Sequence, residues 1–77
     1  MSLTAAQCRA ARALLKWSQD KLAEASKVGT STVGNFAREI RIPHDHILAD
    51  MRSALESAGI EFTNGEQPGV RLRKGKP

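Results

Sequence analysis

Seventy-seven residues make a single small core with little stability to spare. A formal charge of +4 at pH 7 and a pI of about 9.9 make polyanions the natural partners. Cys8 is the only cysteine, which excludes an internal disulfide and suits a reducing cytosol. No apolar run approaches a membrane span or a signal-peptide core, so a cytoplasmic protein without a membrane partner is expected. Internal repeats and low-complexity segments are absent.

The first helix is expected to start at Thr4. Thr4 and Gln7 have capping-box spacing, and Leu3 and Cys8 occupy the two hydrophobic-staple positions. The run AAQCRAARALL has high helix propensity, with Cys8, Ala11 and Leu15 at helical spacing and Leu14 widening the stripe. Arg9, Arg12 and Lys16 form a second, basic line, and Arg9 reads as part of a solvated face. Cys8 reads as a small core residue, since no His or acid near it in sequence would lower its pKa. Trp17, one of three aromatic residues, reads as a core plug.

Ser18 is a good N-cap for a second helix, Gln19 to Ser26. A turn through Lys27 and Val28 leads to a third helix, Thr30 to Ala37. Leu22 and Ala23 would face inward on the former, Val33 and Phe36 on the latter, with Ala23 small enough for a close crossing. Thr30, Ser31, Thr32 and Asn35 then lie away from the core. A short helix with small polar side chains on its outer face fits a DNA major groove. Gln19, at the positive end of its own helix, suits a phosphate.

Arg38 and Arg41, in the loop that ends at Pro43, read as phosphate contacts. His44, Asp45 and His46 are a weak metal signal, better explained as polar residues at a helix start, where Asp45 favours the dipole. A fourth helix runs from about His44 to Ala58, with Ile47, Leu48, Met51 and Leu55 on one stripe and Gly59 placed for a C-cap. The period then changes. Ile60 and Phe62 alternate with Glu61 and Thr63, and Val70 and Leu72 with Arg71 and Arg73, around the turn-forming run NGEQPG. A small C-terminal β-hairpin is expected, its open edge available to a second copy. The tail residues Arg71, Arg73, Lys74 and Lys76 either follow a DNA backbone or remain solvated.

Gln19-x-x-Leu22-Ala23, Val28, Thr32-Val33 and Phe36 together resemble the helix-turn-helix of the phage repressor and Cro (XRE-type) family, over roughly Thr4 to Gly59. The resemblance implies a mainly α, lambda-repressor-like bundle of four to five helices, here with the small hairpin. Residues 1–59 would form the DNA-binding bundle and 60–77 the hairpin and basic tail of the same domain. It also implies that Thr30, Ser31 and Asn35 face base edges while Gln19 meets phosphate and steadies its neighbours.

The chain departs from the family pattern at several positions. Lys27 stands where Gly is usual, and would adopt a positive φ. Gly29 is a weaker N-cap than Ser or Thr. Ala37 replaces a Glu that would pair with Arg12, leaving Arg12 to find Glu39, a carbonyl, water or phosphate. Gly34 costs about 1 kcal/mol relative to alanine inside a helix, and lets that helix sit closer to DNA.

These features point to a sequence-specific DNA-binding transcriptional regulator of repressor type, a dimer on a near-palindromic operator, with no cofactor. No effector domain is expected, so control would come from concentration, a partner or proteolysis. Two alternatives remain: an antitoxin or accessory module, and a helix-turn-helix used for protein contact. An enzyme is not expected, because no paired carboxylates, nucleophile–base pair or phosphate-cradling glycine loop occurs at usable spacing.

Overall fold

The computed structural model describes residues 3–63 and 69–73. It contains α1 (Ala5–Leu15), α2 (Gln19–Ser26), α3 (Thr30–Ala37), α4 (Asp45–Ser57), β1 (Ile60–Thr63) and β2 (Gly69–Leu72). The architecture is a mainly helical bundle of four helices closed by one antiparallel hairpin. Most of the turn, and Lys74 and Lys76 of the tail, lie outside the described residues.

Local chemistry sets the helix ends. The Thr4 hydroxyl accepts from the Gln7 amide at 3.0 Å, and the Gln7 side-chain oxygen accepts from the Thr4 amide at 3.1 Å, a reciprocal capping box. The Ser18 hydroxyl accepts from the Lys21 amide at 3.0 Å and starts α2. Lys16 and Lys27 each end a helix with φ of 59°. Lys27 therefore takes the left-handed conformation expected of it, at a cost that Gly would avoid. Gly29 precedes α3 without a side-chain cap. His44 and Ala58 flank α4 as caps, and Gly59 follows with φ of 111°.

One core joins all these elements. Cys8 and Ala11 of α1, Leu22 and Ala23 of α2, Val33 and Phe36 of α3, and Leu48, Met51 and Leu55 of α4 are buried together with Leu3, Val28 and Ile60. In the hairpin, Ile60 pairs with Leu72, Glu61 with Arg71, Phe62 with Val70 and Thr63 with Gly69. Phe62 and Val70 pack on the core, while Arg71 donates to Glu61 at 2.7 Å on the other face. The Gln7 side-chain Nε2 donates to both the Thr63 and Gly69 carbonyl oxygens, at 3.4 Å each. One side chain thus caps α1 and ties it to the hairpin.

Two expectations for α1 need correction. Leu14 is 42% exposed: the neighbouring elements cover only the Cys8–Ala11–Leu15 side of the helix, so the stripe is narrower than its apolar residues. Arg9 is not merely solvated, because its guanidinium reaches the end of α3. Trp17 is only partly buried against the core, with the Lys21 ammonium 5.7 Å from its ring centroid.

Candidate nucleic-acid interface

The turn between α2 and α3 is tight because Ala23 is small and its carbonyl accepts from the Val28 amide at 3.0 Å. Leu22 and Val33 are fully buried and Phe36 nearly so. Burying that side of α3 forces the other outward. Thr30 and Ser31 are exposed, and Thr32 and Asn35 are half-buried.

Gly34 is the exception to the outward polar pattern, buried beneath two long side chains. A Cβ at Gly34 would stand 3.2 Å from the Gln19 side-chain oxygen and 3.5 Å from Nη1 of Arg38. Arg38 Nη2 in turn donates to the Asn35 side-chain oxygen at 3.3 Å. Gln19, Asn35 and Arg38, distant in sequence or assigned to different elements, therefore converge over one bare backbone position. Arg38 is the C-cap of α3 and not a free loop residue. Arg41 stays apart and exposed in the following segment.

This C-terminal end of α3 is also held by α1. Arg9 Nη1 donates to the Ala37 carbonyl at 2.6 Å and to the Glu39 carboxylate at 3.3 Å. Glu39 itself has φ of 61°. A cation on an otherwise unpartnered last-turn carbonyl satisfies a backbone acceptor and opposes the negative end of the helix. Arg12 takes another partner, the Trp17 carbonyl at 3.3 Å, and its buried Nε has no hydrogen-bond partner among the described residues. Glu39 is met not by Arg12 but by Arg9, three positions earlier on α1.

The His44 and His46 rings stack at 6.0 Å, and among the described residues no three potential ligands cluster. Burial pushes the Cys8 thiol pKa up, against the opposing influence of the Arg12 and Arg9 cations, so the thiol is protonated at neutral pH. No described helix is long and apolar enough to cross a membrane.

A family model described as helix-turn-helix matches residues 9–60, more than half of the chain. No curated protein matches it. The matched span contains α2, the turn and α3 entire, together with the Arg9 tie that fixes α3 to α1. The chain belongs to the helix-turn-helix family of repressor and Cro (XRE) type, whose members are DNA-binding regulators.

Proposed function

We propose that this chain is a sequence-specific transcriptional regulator, acting as a repressor, that inserts α3 into the major groove. The reading is carried by the outer face of α3, where Thr30, Ser31, Thr32 and Asn35 stand clear of the core beside Gln19 and Arg38. Thr30, Ser31 and Asn35 would meet base edges, Gln19 and Arg41 phosphates. Repression would follow from occlusion of polymerase, in the cytoplasm, without a cofactor.

A homodimer would place two copies of α3 about one DNA turn apart and require a near-palindromic operator. The two-stranded sheet supports this, since each strand leaves an edge for a partner strand. Sedimentation of the full chain is expected to give twice its 8.4 kDa mass; the mass of one chain at micromolar concentration would remove the dimer.

A second reading, an antitoxin or accessory module, draws on Ile40 and Ile42, which are 66% and 78% exposed immediately after α3. It predicts that Ile42→Ser leaves DNA binding intact while abolishing association with the product of a neighbouring gene.

Selection of tight-binding duplexes from a random pool tests the main reading. Asn35→Ala should weaken a selected duplex by roughly 1–3 kcal/mol more than random DNA. Equal losses on both would take Asn35 out of base readout.

A further inference from the structure

We infer that Arg38 reads a guanine edge, with Asn35 as its brace and Gly34 as its seat; this rests on the DNA-binding reading above. Side chains on a helix lean toward its N-terminus, so Arg38 at the C-cap swings back over the preceding turn. An alanine methyl at Gly34 would lie 3.5 Å and 3.8 Å from its two terminal nitrogens. Without that methyl, the guanidinium lies low on the outer face of α3, beside the residues that face away from the core. It does not trail into the loop, where a cation would meet only phosphates.

The bond to Asn35 sets what the pair can recognise. Arg38 Nη2 donates to the Asn35 oxygen at 3.3 Å, which engages that acceptor and leaves the amide NH2 as the group Asn35 has to offer a base. The remaining guanidinium N–H groups and this NH2 are all donors. A donor-only pair matches the acceptors N7 and O6 of guanine in the major groove. The amino groups of adenine and cytosine would oppose donor to donor, and thymine offers one acceptor beside a methyl. A planar fork is also what distinguishes arginine from lysine, since a phosphate accepts either cation but paired guanine acceptors favour the fork.

The test uses the full chain and a duplex selected from a random pool. Each guanine is replaced in turn by 7-deazaguanine, which lacks the N7 acceptor, or by adenine in an exchanged pair. At one guanine per half-site, replacement should weaken the unmodified protein about tenfold or more. Arg38→Lys, which keeps the charge, should retain the salt dependence yet respond less than about twofold to the same replacement. Arg41→Ala should leave the guanine preference unchanged. A guanine preference that Arg38→Lys retains in full overturns the inference while sparing the DNA-binding reading. Equal losses for Arg38→Ala on selected and random duplexes do the same, making Arg38 a phosphate contact. A pool that yields no preferred sequence overturns both.

Discussion

Arg9 of α1 holds the carbonyl oxygen of Ala37, the last residue of α3, at 2.6 Å. Family members with a Glu at the position of Ala37 would make this tie side chain to side chain, from Arg12. Here a backbone acceptor takes over and the donor shifts by three residues, one helical turn of α1. The orientation of α3 thus depends on a bond that no pair of side-chain identities announces.

Arg9→Ala should therefore destabilise the fold by about 1 kcal/mol, less than a buried charged hydrogen bond would cost because the side chain is 44% exposed. Arg9→Gln, which can still donate to the carbonyl, should lose less. Urea unfolding midpoints check both, and an Arg9→Ala midpoint equal to that of the parent would make the bond energetically idle.

Gly34→Ala should separate stability from binding. Removing a helix-interior glycine contributes up to about 1 kcal/mol, and the closest obstacle is the movable end of Gln19, 3.2 Å from the new methyl. Thermal stability should rise while affinity for a selected duplex falls, because Gln19 and Arg38 lose their seat. A variant that gained on both counts would show that the close packing over Gly34 serves no contact with DNA.

Gln7→Glu tests the link between α1 and the hairpin. It keeps an oxygen for the Thr4 amide but turns a buried carboxylate toward the Thr63 and Gly69 carbonyls, replacing donors with an acceptor. A loss of about 2 kcal/mol is expected, with faster amide exchange in β1 and β2 than in α2. Uniformly faster exchange would mean that the hairpin has no local dependence on Gln7.

Cys8 gives a pH dependence of definite sign. Its pKa in the fold is raised above the ordinary 9.0 by burial, so above that pH the unfolded chain releases a proton that the folded chain keeps. Folded protein then binds more protons, and stability falls as pH rises past the ordinary value. Below it the thiol contributes nothing to the slope. Cys8→Ala should be less stable throughout yet lack this part of the alkaline decline; parallel curves for the two proteins would contradict the assignment.

The fold was legible where local chemistry decides it. Ser18, the Thr4–Gln7 box and the spacing of Leu22, Ala23, Val33 and Phe36 specify α1 to α3 within a few residues, and the change of period after Gly59 specifies the hairpin. Side-chain direction across elements was not legible. Arg38 looked like a loop cation because its sequence position is past α3, whereas its guanidinium returns over Gly34. Arg9 looked solvated because its main partner is a carbonyl, which every residue possesses. Leu14 looked buried because periodicity shows which face is apolar, not how much of it the neighbours cover.

Fluorescence anisotropy on a pool-selected duplex, with excess random competitor at low and moderate salt, tests most directly whether α3 reads DNA. Binding should survive the competitor, weaken as salt rises, and yield to the competitor far more readily for Asn35→Ala. Binding that random duplex removes as readily as selected duplex would leave only a basic surface, and would contradict the assignment of α3 as the reading helix.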